Sequence, residues 1–422
     1  MKFKALYSFI LSIVIASSSL FTFAQTQESF KEIEGKVVDE QNNSPLIFAD
    51  LVITNSNIST VTNSDGEFLL KIPTSLIKET LSITHLGYKE KILDLASIKD
   101  KSKIKLKPAI TELNAVSIIS PSQSALELVV ETLSKKSTLY NDNNTLMTAF
   151  YRETIKKRRK NASLSEAVVK IHKRPYNSYK NDHIELIKAR KNTDYSKLDT
   201  IALKLQGGPF SNLYTDIIKY PEFIFTQEDI PLYQFTYSEP TRIDNNLVFV
   251  IDFKQRRSIS TPLYYGKLYI DANTLALKSA VYSLNVENRE LSSRMYIRKK
   301  PRKVDVYPTE AMYRVNYRTK NGKWHYAYSN ISLTFKVNWK GKLFNSVYSL
   351  NSEMAVTDWE IKDTKIANVR SQLLRPTTIL TEKASGFSDP KFWGKYNIIE
   401  PEKSIESAIR KISRQLEKIE RK

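Results

Sequence analysis

The chain has 422 residues, no cysteine, and 65 Lys and Arg against 45 Asp and Glu, a formal net charge of +20. Without cysteine it has no disulfide framework, no thiolate metal site, no thiol nucleophile and no lipobox residue to acylate. Hydrophobic residues at 41%, with 23 Tyr and 18 Phe, predict a folded, aromatic-rich β protein rather than a disordered one.

The chain opens on Met1-Lys2-Phe3-Lys4, an apolar run from Ala5 to Ile15, and Phe21-Thr22-Phe23-Ala24-Gln25. A basic start, a short apolar run and small residues at Thr22 and Ala24 predict a signal peptide over residues 1–24, cleaved after Ala24. The run is too short for a comfortable membrane span, which takes about 20 residues. The expected address is the periplasm or the periplasmic face of the outer membrane. Loss of Lys2 and Lys4 lowers the charge by two, to +18. In that compartment so basic a chain meets anionic lipid headgroups, lipopolysaccharide phosphates and acidic glycans instead of nucleic acid.

From Ile33 the pattern turns to short strands at roughly ten-residue spacing. Ile33 to Asp39, Phe48 to Thr54, Thr60 to Pro73 with a turn at Asp65-Gly66, Leu81 to Thr84 and Ile104 to Pro108 predict a small antiparallel sandwich over residues 30–109. The order Gly35-x-Val37-x-Asp39, Pro45-Leu46, Ala49-x-Leu51-Val52, Thr62-Asn63-x-Asp65-Gly66-x-Phe68, Leu86-Gly87-Tyr88 resembles the carboxypeptidase-regulatory-like domain. That resemblance implies a transthyretin-like β-sandwich without catalysis of its own, common in exported proteins of Bacteroidetes. Ser59 and Asn63 stand where the family often has Gly and Asp, which touches turn chemistry only. A zinc peptidase is not expected: His85, His172, His183 and His325 form no HExxH or HxxE arrangement.

Ala125, Leu126, Val129, Val130 and Leu133 predict a helix within a linker at 120–140. Residues 145–365 then read as long antiparallel strands. Leu247 to Phe253 is one, Gly266 to Leu277 turns at Asp271 to Thr274, Met312 to Ser329 turns at Asn321-Gly322, and Leu333 to Leu350 turns around Lys340-Gly341-Lys342. They predict one large curved antiparallel sheet. The Ala-Leu-Glu helix, the Phe150-Tyr151-Arg152-Glu153 strand and the closing Phe392-Trp393-Gly394 to Pro401 run resemble a group of Bacteroidetes envelope proteins. The turn Tyr269-Ile270-Asp271-x-x-Thr274 resembles LolA-like and RseB-like periplasmic proteins. That resemblance implies an open half-barrel that holds acyl chains or lipoproteins, with residues 203–233 as an inserted helical segment. A C-terminal extension, 366–422, carries an amphipathic helix over 402–421, with Ile405, Ile409, Ile412, Leu416 and Ile419 on one face.

Two basic runs, Lys156-Lys157-Arg158-Arg159-Lys160 and Lys299-Lys300-Pro301-Arg302-Lys303, each lie between β-patterned segments and are expected to cap hairpins. Loop tips are the plain reading and contact with an anionic surface the sharper one. Neither run interleaves aromatics as a single-strand nucleic-acid site would. No catalytic or metal constellation and no cofactor motif is found. The expected role is a non-enzymatic binding or assembly factor near the outer membrane, holding an apolar or lipidated ligand in a curved sheet. A structural accessory of an outer-membrane complex and a hydrolase of envelope polymers are the alternatives. Expected partners are a lipid, a lipoprotein or an outer-membrane protein, with peripheral membrane contact.

Overall fold

The computed structural model describes residues 29–85, 87–109, 123–158, 160–193, 206–243, 246–298, 300–341, 343, 345–362, 366–385 and 392–401. The expected signal peptide and C-terminal helix lie outside the described residues.

The N-terminal part is a two-sheet sandwich. One sheet holds β1 (Phe30–Asp39), β4 (Glu67–Pro73) and β7 (Ser102–Leu106) in the order β4-β1-β7. The other holds β2 (Asp50–Ile53), β3 (Ser59–Val61), β5 (Thr80–Thr84) and β6 (Lys91–Asp94) in the order β3-β2-β5-β6. Ile33, Val37, Leu51, Phe68, Leu70, Leu81 and Ile104 alternate inward and close one core. Two expectations need correction. The sandwich is not wholly antiparallel, because β7 returns beside β1 in parallel, Val37 facing Ile104. Nor do β3 and β4 form a hairpin: the chain crosses between sheets at Asp65-Gly66. Gly66 has φ +74°, and a Cβ there would stand 2.7 Å from the carbonyl of Val37, so the corner requires glycine.

The signature residues of this part meet one another. The Tyr88 hydroxyl donates to Asp39 Oδ2 at 2.7 Å, while Asp39 Oδ1 accepts the amides of Gln41 and Asn42. Asn63 Oδ1 accepts the amides of Asp65 and Glu67. They are turn and strand fasteners.

The second part is one antiparallel sheet of ten strands: β8 (Thr145–Lys157), β9 (Lys160–Lys173), β10 (His183–Thr193), β11 (Tyr233–Ile243), β12 (Asn246–Gln255), β13 (Tyr264–Asp271), β14 (Leu277–Leu284), β15 (Val304–Lys320), β16 (Lys323–Trp339) and β17 (Ser346–Ile361). The order is β10-β9-β8-β17-β16-β15-β14-β13-β12-β11. Flat, ten strands would spread over about 43 Å. The sheet is curved, and side chains from both edges, Ile184 and Tyr233, belong with those of all the strands between to one core on its inner face. Bulges hold the apolar face through the bends. Asn316 pairs with Tyr328 and Tyr317 with Tyr326, which skips Ala327, so Tyr326 and Ser329 point to the same side. The expected turns are present, and Asp271 Oδ1 accepts from the amides of Asn273 and Thr274 and from the Thr274 hydroxyl. Local turn chemistry accounts for that motif.

Among the described residues four short α-helices complete the fold: α1 (Ala125–Ser134), α2 (Lys136–Leu139), α3 (Pro209–Leu213) and α4 (Arg289–Tyr296). Ser124 caps α1 in a reciprocal capping box with Glu127. Its buried stripe is Ala125, Leu128 and Val129, whereas Leu126 and Val130 are exposed, a rotation from the expected stripe as the helix leans on β11. The inserted segment is helical only in part: one turn, α3, is followed by short 3-10 turns at Pro221–Phe223 and Ile230–Leu232.

Candidate functional site

The chain itself covers the concave face of the large sheet and, on the opposite face, the part formed by β8, β9, β16 and β17. On the concave face, α1, Tyr140, Tyr176 and residues 206–232 cover the strands. Phe210, Leu213, Ile217, Ile218, Ile224 and Phe225 pack on Met147, Tyr151, Val169, Ile251, Tyr317, Tyr326 and Met354. Where the resemblance implied an open groove for an acyl chain, the protein's own apolar segment fills the space.

That segment is held at two polar points. Asn212 is fully buried at the end of α3; its amide donates to Ser329 Oγ at 3.0 Å and its carbonyl accepts from Ser352 Oγ at 2.8 Å, tying the segment to β16 and β17. Four residues on, Asp216 and Asp182 grip Lys173 at 2.7 and 2.8 Å, with all three side chains wholly out of solvent. Tyr176 and Tyr317 donate to the two oxygens of Asp216, and Tyr220 donates to Asp182. The two nearby carboxylates push Lys173 above its ordinary value, against a burial effect of opposite sign. An ammonium with two carboxylates and three phenols is a satisfied network, and it fixes the segment in one position.

Beside the Asn212 tie, on the strand next to Ser352, Glu153 is buried on the same face with no cation within pairing distance among its described contacts. It accepts from Tyr151 at 2.8 Å, and burial pushes its carboxyl up to about 7.

The opposite face carries the sandwich and a strap, residues 392–401. Val61 and Leu69 of the sandwich, Trp393, Ile398 and Ile399 of the strap, and Phe150, Val168, Tyr328 and Ala355 of the sheet form one cluster. Ser59 donates to the carbonyl of Val356 and Thr60 to that of Ile398. Asn397 accepts the amide of Lys71 at 2.7 Å and donates to its carbonyl at 3.3 Å, as a strand neighbour would. Under the strap, Glu166 lies between Arg152 and Arg190 with 2.8 Å contacts to each Nε, and Arg152 reaches Glu353 and the carbonyl of Ile399. Beside the Arg318–Asp50 ion pair (3.1 Å), a cleft of about 300 Å³ between sandwich and sheet is lined by Phe48, Lys278, Arg314 and Trp324. His325 lies close by, its ring 4.0 Å from that of Trp359. Burial, with Arg318 and Lys320 nearby, lowers it to about 4.

The sequence-predicted basic residues fall elsewhere, at one end of the sheet. Lys156, Lys157, Arg158 and Lys160 form the β8–β9 tip as expected, with Arg158 at φ +54°. Lys300, Arg302 and Lys303 do not cap a hairpin: they join α4 to β15, because Arg289 to Tyr296 winds as a helix under an Asn288 cap. Arg159 and Lys299 lie outside the described residues. Of the histidines, His172 contacts Glu185 at 3.0 Å across β9 and β10. Among the described residues no three His, Asp or Glu side chains converge as metal ligands would.

Fold and site define a two-part, mainly β protein with a small sandwich seated on the back of a large curved sheet. Residues 33–118 match the family model described as the CarboxypepD_reg-like domain. No curated protein matches the chain. Among solved structures, a DUF1329 family protein from Desulfovibrio piger is similar at 11% identity over 58% of this chain and 95% of its own, with a TM-score of 0.23. Lipovitellin, solved for its lipid–protein interactions, aligns at 8% identity over 53% of this chain and 26% of its own, TM-score 0.25. MucB aligns at 9% identity over 59% and 97%, TM-score 0.19. Similarity at these TM-scores carries no functional argument. Among the described residues no helix is long and apolar enough to cross a membrane.

Proposed function

We propose that this protein is a non-enzymatic assembly factor of the cell envelope: a rigid accessory whose working surfaces are the outer side of its sandwich and the ends of its large sheet. One observation carries the reading. Residues 206–232 fill the concave face and are held there by the buried Lys173–Asp182–Asp216 network, while sandwich and strap cover the part of the other face formed by β8, β9, β16 and β17. The concave face is thus left no open groove for a ligand. Asp182, Asp216, Glu166 and Glu353 are consumed in internal ion pairs, and Asp50, which lines the cleft between sandwich and sheet, is paired with Arg318.

A carrier of apolar ligands is the second reading, and the filling segment itself favours it. Phe210, Ile217, Ile218 and Phe225 occupy the space an acyl chain would take, and the segment starts at Gly207-Gly208, both at positive φ. A ligand would have to displace it. Native mass spectrometry of protein purified from its own envelope fraction separates the two. An acyl-free chain that stays with an outer-membrane complex supports the accessory. Stoichiometric bound lipid, with residues 206–232 becoming exchange-labile, supports the carrier instead.

A further inference from the structure

Basic residues distant in sequence converge at one end of the large sheet. Lys157 pairs with Lys160, Tyr348 with Lys157, Val337 with Ser346, and Val304 with Trp339. The amide of Arg158 donates to Val347 and that of Lys340 to Lys303, at 2.8 and 2.9 Å. The tips of five neighbouring strands, β9, β8, β17, β16 and β15, therefore share one rim about 19 Å wide. Arg158, Lys160, Lys300, Arg302, Lys303 and Lys340 are all exposed on it. The acidic groups nearby are Asp305, 3.4 Å from Lys300, and Glu290, which pairs with Arg294 of α4. Charges this close act together at physiological salt, where screening extends over about 8 Å.

The rim also carries an apolar point. Leu343, in the loop between β16 and β17 beyond Lys340, is 96% exposed, and Met295 on α4 is 51% exposed. A single exposed leucine is ordinary on a protein surface. One in a loop next to a row of exposed lysines and arginines has the elements of a peripheral membrane anchor, a cationic collar beside an aliphatic tip.

We propose that this end of the sheet docks on an anionic lipid bilayer, with the collar on the headgroups and Leu343 entering the interface. The proposal is independent of what the sandwich recruits. Docking there leaves the filled concave face undisturbed and holds the sandwich, on the convex side, accessible to a partner.

The test is flotation of the full chain, freed of any leader, with vesicles of phosphatidylcholine alone and with vesicles that also contain phosphatidylglycerol. Binding is expected to the anionic vesicles only and to fall steeply as salt rises. Each basic residue near an anionic surface is worth about fivefold in affinity, so the Arg158→Glu/Lys160→Glu/Lys303→Glu/Lys340→Glu variant should lose well over a hundredfold. A control that reverses four exposed lysines of the sandwich, Lys31, Lys89, Lys103 and Lys105, should stay within a few fold of wild type. Leu343→Asp should weaken vesicle binding yet leave retention on a soluble polyphosphate unchanged. Equal binding to both vesicle types would overturn the proposal, as would equal losses in the rim variant and the control. Polyphosphate binding with vesicle binding indifferent to Leu343→Asp would reduce the rim to a general polyanion site, and the bilayer proposal would fail.

Discussion

Glu153→Gln should stabilise the protein at neutral pH. In the fold the carboxyl sits at about 7, raised mainly by burial, against an ordinary value of 4.5. A carboxyl whose folded value is raised binds its proton more tightly in the native state, so stability is greatest below the unfolded value and declines as pH climbs toward the folded one. At about 1.4 kcal/mol per pH unit, the full difference comes to about 3 kcal/mol, most of it lost between pH 5 and 8. Glutamine keeps the shape and the hydrogen-bonding reach toward Tyr151 without the charge. Urea unfolding of both proteins, followed by tryptophan fluorescence at pH 5 and 8, reads the effect. The gap between variant and wild type should widen in favour of the variant by about 2 kcal/mol or more from pH 5 to 8. A gap that does not change with pH would mean the carboxyl is not desolvated, and the packing assigned to the concave face would be wrong there.

His325 gives the opposite sign. Its folded value of about 4 lies below the ordinary 6.5, so its share of stability is present above pH 6.5 and is lost as pH falls toward 4; an NMR titration should place its midpoint near pH 4, and His325→Phe should flatten the wild-type decline over that window. Lys173→Met leaves Asp182 and Asp216 buried without their cation and should cost about 3–5 kcal/mol, with hydrogen exchange rising in residues 206–225. Adding Asp182→Asn and Asp216→Asn should recover much of that loss; no recovery would mean the lysine acts by packing alone. Asn212→Ala breaks the ties to Ser329 and Ser352 and should cost about 2–3 kcal/mol while increasing binding of an apolar dye. Asn397→Ala should free the strap from Lys71, seen as faster proteolysis between residues 385 and 401 with the sheet itself unaffected.

Much of the architecture is legible from local chemistry. Asn321-Gly322 and Asp271 to Thr274 announce their hairpins because turn geometry and residue type are tied at short range, and Ser124 with Glu127 marks the start of α1. What pairs across long stretches of chain is not legible in this way. The parallel return of β7 beside β1 and the sheet-crossing corner at Asp65-Gly66 are set by how two sheets close on one core, and an Asp-Gly pair serves a corner as well as a hairpin. The helical segment expected at 203–233 is reduced to one turn, Pro209–Leu213, followed by 3-10 turns at Pro221–Phe223 and Ile230–Leu232. Its apolar residues are placed by packing on the sheet rather than by helical periodicity. Concentration of the basic runs at one rim follows from strand register, which no single run reveals. The buried network left one trace: Asp216 follows Phe210 and Leu213 at helical spacing, on the apolar side of its segment. A carboxylate there calls for a buried partner, but nothing local points to Lys173, 43 residues away.

The claim that the concave face belongs to the chain's own segment is tested most directly by native mass spectrometry of protein purified from its native cells and sprayed without delipidation. A single species at the mass of the bare processed chain is the expected result. A discrete added mass in the range of a lipid or acylated peptide, lost on extraction and regained on incubation with the extract, would contradict it.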